Sequence, residues 1–240
     1  MQNDGLVKLT PRLKAVAGLV LPGQPMADIG SDHGYLPLYL VSKGIVPSAI
    51  AVEVRQGPWA KADHQVRLHG LERKIEVRLG DGLKPLKPGE VATAALAGMG
   101  TQTMIKILTE SMPIVNRLKR LVLQPMAEIP VLREWLYRHH FHLTHEELVR
   151  EGDRYYVVMA AGLGHKPMPS VTELEVGPLL IANRHPLLVP YLAKTIRQDE
   201  QVLLELKNIT TEKAVRQQQL LEKRLEELKE VMTWLSCAKP

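Results

Sequence analysis

The chain has little of what builds several familiar kinds of protein. Its one cysteine, Cys237, stands close to the C-terminus, which excludes a disulfide framework and cysteine-rich metal sites and fits a cytosolic address. No apolar run approaches the roughly 18 residues of a membrane span, and the opening Met1-Gln2-Asn3-Asp4-Gly5 lacks the pattern of a signal peptide. Aromatic residues make up only 4% of the chain, too few for a base-stacking platform of the kind that grips single strands. Neither a phosphate-loop signature nor a Ser-His-Asp order occurs. Internal repeats and low-complexity segments are also missing.

What remains is ordinary in bulk. The chain has 240 residues, 45% hydrophobic and 24% charged, enough for one sizeable domain plus an appendage. Its net charge of +5 favours a polyanionic partner, although a solvated basic surface has the same composition. Composition divides the chain near Gly162-Leu163-Gly164-His165-Lys166-Pro167-Met168-Pro169, a turn-rich linker. Residues 1–165 alternate short β-branched runs with amphipathic stretches and form the expected first domain. Residues 166–240 comprise the linker and a Leu-, Glu-, Lys- and Gln-rich tail.

Within the first domain, Thr10-Pro11 starts a helix, with Thr as N-cap and Pro in the first turn. Strands are expected at 26–29, 48–53, 75–79, 91–96 and 121–123, with helices at 35–42, 56–68, 101–110 and 129–138 between or after them. Two further strands, 141–149 and 155–160, follow with only Glu151-Gly152-Asp153 between them, so they must pair as an antiparallel hairpin. Strands alternating with helices give an α/β fold with a parallel sheet, here five βα units closed by a hairpin. The tail reads as two helices, 186 to about 208 and from 211 onward, broken at Asn208-Ile209-Thr210-Thr211. Leu221, Leu225, Leu228, Met232 and Leu235 are spaced 4, 3, 4 and 3, a heptad seam suited to a coiled-coil-like hairpin.

The stretch richest in chemistry is Asp28-Ile29-Gly30-Ser31-Asp32-His33-Gly34-Tyr35-Leu36-Pro37, where the first strand gives way to a helix. A glycine turn there lets a ligand approach backbone N–H groups. A dinucleotide phosphate would call for three glycines spaced G-x-G-x-x-G and no opposing charge. Carboxylates crowd this turn instead, which suits a ligand with a cationic end, such as the ammonium and sulfonium of S-adenosylmethionine. A purely structural glycine turn would look the same in isolation. The neighbouring strands add weight, because ligands of open parallel sheets bind at the carboxyl ends. To that edge come Glu53, Gly80-Asp81-Gly82, Ala97-Gly98-Met99-Gly100 and Gln124-Pro125-Met126. Glu53 is placed to accept two ribose hydroxyls, and Asp81 to accept from an adenine amine. His33 is either a ligand contact or a local cap. His139, His140, His142 and His145 straddle a helix end and an alternating strand, so they should diverge rather than hold a metal.

These residues carry a resemblance. DIGSDHGYLP, the AVEV run, GDGL at 80–83, AGMG at 97–100, LQPM at 123–126 and EGDRYYV at 151–157, after the opening LTPRL, resemble in order the bacterial tRNA (adenine(22)-N1)-methyltransferase family. The resemblance covers essentially the whole chain. It implies a Rossmann-like, seven-stranded methyltransferase sheet, S-adenosylmethionine as cofactor, and methylation of an adenine N1 in tRNA. It also implies cofactor roles for Asp28, Gly30, Glu53 and Asp81, with Arg12, His33, Gly98 and Met99 lining the site. Ser31, Gly34, Val54, Gly82 and Ala97 are counted with the cofactor contacts as their neighbours. The chain has Gly100-Thr101 where many members show a second glycine.

Adenine N1 carries its own lone pair, so positioning can supply most of the acceleration. Asp32 is the candidate to stabilise the cationic product, with the cofactor ammonium as its alternative partner, and Gln124 is either a hydrogen-bonding partner for the base or a satisfied strand-end amide. Two alternatives remain: a methyltransferase for another acceptor, and a non-catalytic RNA-binding module that keeps a nucleoside pocket. The tail carries ten Lys/Arg against eight Asp/Glu from Arg184 onward. Lys194, Arg197, Lys207, Lys213, Arg216, Lys223, Arg224 and Lys229 recur along both helices and are expected to meet tRNA phosphates, although a hairpin packed on the domain with a solvated charged face has the same pattern. The expected protein is cytoplasmic, without membrane or metal partners, and a monomer or weak homodimer through the tail.

Overall fold

The fold was obtained as a computed structural model, and it describes residues 7–207, 209 and 211–237. The opening five residues, and Asn208 and Thr210 of the expected tail break, lie outside the described residues. The chain forms two compact units, Met1–Met168 and Pro169–Pro240.

The first unit begins with α1 (Pro11–Leu19), where the Thr10 hydroxyl accepts from the Leu13 N–H at 3.3 Å. There follow β1 (Met26–Ile29), α2 (Tyr35–Ser42), β2 (Ala49–Glu53), α3 (Gln56–Leu68), β3 (Ile75–Leu79), β4 (Thr93–Met99), α4 (Thr101–Glu110), α5 (Met112–Val115), β5 (Arg120–Pro125), α6 (Ile129–Arg138), β6 (Phe141–Glu151) and β7 (Arg154–Leu163). They build one seven-stranded sheet in the order β3-β2-β1-β4-β5-β7-β6. β1 to β5 run parallel, and β7 joins antiparallel to both β5 and β6. The central strands are buried along their length, as a sheet covered on both faces requires. Val16 and Ala17 of α1, with Leu36, Leu38 and Leu40 of α2, close the core over Met26, Ala49 and Val122.

Three differences from the sequence expectation bear on the site. β4 runs to Met99 rather than stopping at Leu96, and it carries a register shift against β5 between Ala97 and Met99. β5 runs on to Pro125, so Gln124 lies in a strand and not in the turn after it. β7 runs to Leu163, into what reads as linker, because its partner β6 continues beside it from Phe141.

In the second unit, α7 (Val171–Val176) and α8 (Pro178–Ala182) precede α9 (Leu188–Leu206) and α10 (Glu212–Cys237). Neither α7 nor α8 was expected. Ser170 and Glu173 form a reciprocal capping box at the start of α7. Helices α9 and α10 run antiparallel: Gln218 donates to the Leu206 carbonyl at 2.6 Å near the turn, and Arg224 pairs with Asp199 further along. Leu225 and Leu228 of the heptad seam are buried. Val215 and Leu220 face away from that seam and are exposed, Leu220 at 71%.

Candidate active site

The carboxyl ends of β1, β2, β4 and β5 converge on one edge. Asp28 sits in register with Ala51 of β2 and Ala95 of β4, so its carboxyl is flanked by small apolar residues and is buried. Burial raises its pKa from 3.8 to about 7, against the opposing effect of the Ser31 hydroxyl, which donates to Oδ2 at 2.6 Å. The charge of nearby Glu53 pushes in the same direction as burial.

Gly30 leaves the strand at φ +69° while its N–H still donates to the Val52 carbonyl at 2.8 Å. That φ strains any L side chain, and a Cβ there would lie 2.5 Å from Met99 Cε, so the end of the Met99 side chain would have to move as well. Next come three consecutive left-handed residues, Asp32 (φ +36°), His33 (φ +72°) and Gly34 (φ +73°). Two of them carry side chains, a conformation that costs on the order of 1–3 kcal/mol each and marks functional turns. The Asp32 N–H donates to Glu53 Oε1 at 2.6 Å, which fixes the turn to the end of β2. Glu53 is 5% exposed, and burial raises its pKa while the Asp32 N–H works against that rise. Its second carboxylate oxygen has no partner among the described residues. The Asp32 side chain itself is 85% exposed, with His33 Nε2 3.5 Å away. His33 in turn stacks on Tyr35.

Beside this turn stands a second group of contacts. Gln124 is fully buried. Its Oε1 accepts from Arg12 Nη1 at 2.5 Å and from the Gly98 N–H at 3.0 Å. Its Nε2 donates to the Pro125 carbonyl at 2.9 Å and lies 3.6 Å from Met126 Sδ. Both ends of the amide are thus engaged within the protein, as for a satisfied strand-end amide and not for a partner of the acceptor base. Arg12 Nη1 would lie 3.3 Å from a Cβ on Gly98, which takes φ +76° at the β4 register shift. The Arg12 guanidinium also lies over the Tyr156 ring, 5.6 Å from its centre, and the Arg12 backbone N–H donates to Glu151 Oε2 at 3.2 Å.

Asp81 stands apart from these contacts. It is exposed and bonded to Lys84 Nζ at 2.8 Å, which holds its carboxyl below the ordinary range. Gly82 takes φ +58° in the same turn. Val54, just past β2, is 63% exposed, and Ala97 is half-buried in β4. The buried Thr101 hydroxyl donates to the Ala127 carbonyl, so this side chain is turned into the β5–α6 loop. Glu151 and Tyr156 belong to the EGDRYYV stretch, and the sequence alone assigns neither of them a role in the site. Their signal was their place on a hairpin that returns beside β5, which only the strand order reveals. Among the described residues there is no group of three His, Cys, Asp or Glu placed to hold a metal.

An acid at the end of β2, a buried acid and glycine turn after β1, and a seven-stranded sheet closed by an antiparallel strand define a methyltransferase domain. Residues 9–159 match the family model described as "Methyltransferase domain". A curated relative, the tRNA (adenine(22)-N(1))-methyltransferase of Bacillus subtilis, is 33% identical over 232 residues, covering 94% of this chain and 98% of its own. The crystal structure of the B. subtilis M1A22 tRNA methyltransferase superposes with a TM-score of 0.86 at 33% identity, covering 94% of this chain and 99% of that one. The Streptococcus pneumoniae protein Sp1610, solved in complex with S-adenosyl-L-methionine, gives 0.84 at 33% identity over 94% and 100%. The chain belongs to the tRNA (adenine(22)-N1)-methyltransferase family.

Proposed function

We propose that this protein transfers a methyl group from S-adenosylmethionine to N1 of adenine 22 in tRNA, in the cytoplasm. The observation that carries this reading is end-to-end similarity to the B. subtilis enzyme in a chain whose strand ends present Asp28, Gly30, Asp32 and Glu53 together. The residues fit the cofactor. Glu53 offers one open carboxylate oxygen for ribose hydroxyls. Asp28 holds a proton up to about pH 7 that a nearby ammonium or sulfonium would displace. Bound S-adenosylmethionine supplies the activated methyl group. The adenine N1 lone pair attacks that methyl in line, the carbon–sulfur bond breaks with its electron pair left on sulfur, and the base becomes cationic. Asp32, exposed on the left-handed turn, supplies negative charge for that cation. Asp81 and Val54, both exposed beyond β3 and β2, suit the rim where the adenine of the cofactor would lie.

The tail supports contact with tRNA through fewer cations than its sequence suggests. Arg224 is paired with Glu175 and Asp199, Lys229 with Glu200, and Lys223 with Glu227. Lys207, Lys213 and Arg216 stay exposed toward the turn of the α9–α10 hairpin, and Arg197 is exposed midway along α9. Because α9 covers Leu225 and Leu228 within one chain, the seam supports a monomer over a dimer through the tail.

The test uses the full chain with labelled S-adenosylmethionine and two unmodified tRNA transcripts, one with adenine at position 22 and one with guanine. Label should appear as 1-methyladenosine only in the first. Methylation blocks the Watson–Crick edge, so reverse transcription should stop at position 22. Label in another nucleoside, or equal labelling of both transcripts, refutes the assignment.

A further inference from the structure

We infer that Gln124 is a positioning residue that holds the Arg12 guanidinium in place to bind the α-carboxylate of S-adenosylmethionine. This rests on the reading of the site as an S-adenosylmethionine pocket.

That cofactor presents three charges: an ammonium, a sulfonium and a carboxylate. Asp28 answers the cations, Glu53 faces the ribose and Asp32 the acceptor base, and none of these acids can answer the carboxylate. Arg12 can. Its guanidinium pairs with no acid among the described residues, so its charge is not already spent. It lies against Gly98 at the β4 register shift, and the next residue, Met99, reaches to the surface of Gly30 in the cofactor turn. A guanidinium binds a carboxylate well only when its plane is fixed.

Four contacts fix it. Glu151 anchors the start of α1 through the Arg12 N–H, Tyr156 lies beneath the guanidinium, Gly98 leaves room for it, and the Gln124 oxygen accepts its Nη1. Gln124 is the centre of this arrangement. One oxygen holds both Arg12 and the Gly98 N–H, so the same amide sets the guanidinium and the bend of β4 that carries Met99. A residue needed only for β5 would not have to choose glutamine. Its neighbours Leu121, Val122 and Leu123 fill the same strand with apolar side chains.

The experiment compares S-adenosylmethionine with its decarboxylated analogue, measuring affinity for each by calorimetry. The wild-type protein, Arg12→Ala, Gln124→Leu, Gln124→Glu and the double variant Arg12→Ala/Gln124→Leu are compared, each checked for a native unfolding transition. The wild-type protein should prefer the carboxylate-bearing cofactor on the order of tenfold or more. Arg12→Ala and Gln124→Leu should each lower that preference to near onefold, and the double variant should be no worse than Arg12→Ala alone. Gln124→Glu keeps the shape and the oxygen that Gly98 donates to and gives up only the Nε2 donation to the Pro125 carbonyl and Met126 Sδ, but it neutralises Arg12, so it should lose the preference while remaining folded. A general packing defect would weaken both ligands equally and leave the preference standing. Retained preference in Arg12→Ala, or in a folded Gln124 variant, overturns the inference. If the wild-type protein binds neither ligand, the cofactor reading itself fails.

Discussion

Asp28→Asn should stabilise the free protein in a pH-dependent way while abolishing what the carboxylate is there to do. The folded protein holds the Asp28 proton up to about pH 7, whereas the unfolded chain releases it near 3.8. Across that window the folded state binds more protons, so stability falls as pH rises and stops falling above about 7. The shift of roughly three units corresponds to about 4 kcal/mol between the two limits. Between pH 5 and pH 8 the wild-type protein should lose about 2–3 kcal/mol through this group. An asparagine has the same shape, accepts the Ser31 hydroxyl through its carbonyl oxygen, and loses nothing. The assay is urea unfolding of both proteins at pH 5 and pH 8, where groups common to both cancel in the difference. The stability advantage of Asp28→Asn should grow by about 2–3 kcal/mol between those pH values. In parallel, cofactor affinity of the wild-type protein should rise through pH 7 as the ionised form becomes available to a cation, and that of the variant should be weak and flat. An advantage that is the same at both pH values refutes the account of Asp28 as a buried acid carrying a raised pKa.

Other expectations follow from the same geometry. Glu53→Gln should weaken cofactor binding by about 1.5–3 kcal/mol, the loss of a hydrogen bond to a charged group, and calorimetry showing unchanged affinity would remove Glu53 from the ribose site. Asp32→Asn should lower kcat more than it weakens cofactor binding; a parallel collapse of both would make Asp32 a cofactor ligand. Replacing Lys213 and Arg216 together by glutamine should weaken tRNA binding and reduce its salt slope by roughly two, with cofactor affinity unchanged, as measured by filter binding at several ionic strengths. An unaltered slope would place the tRNA elsewhere.

Much of the fold could be read from periodicity. Helices α2, α3 and α4 and strands β1 and β3 fall where the sequence pattern puts them, because each is bounded by a glycine, a proline or a capping residue. The ends of β4 and β5 could not be read that way. Ala97-Gly98-Met99 looks like a turn because of Gly98, yet pairing with β5 carries the strand through it by way of a register shift. Gln124-Pro125 looks like a break because of its proline, but Pro125 stands at the strand's last position, where its missing N–H costs the ladder little. Helix α7 is legible in Ser170 and Glu173, a capping-box pair hidden by the prolines and glycines just before it. In the candidate site, residue types single out Asp28 and Glu53, since an acid at a strand end has few structural uses. The engagement of Gln124 by Arg12 joins residues 112 positions apart and leaves no trace in spacing.

The order β3-β2-β1-β4-β5-β7-β6 also constrains how the protein is made. β6 has no partner until β7 exists, and the free edge of β5 is closed by β7 alone. During synthesis β5 therefore waits with an open, apolar edge while the whole of α6, β6 and β7 emerges, several seconds at about 5–20 residues per second. Leu121, Val122 and Leu123 are uncovered for that interval, and the same interval leaves α1 without Glu151, the carboxylate that anchors its first turn. The nascent chain must cross this stage without pairing its exposed strand with a neighbour's. Its last hairpin is then the step that commits it, and truncation just short of residue 154 should yield a product that aggregates rather than a smaller folded domain.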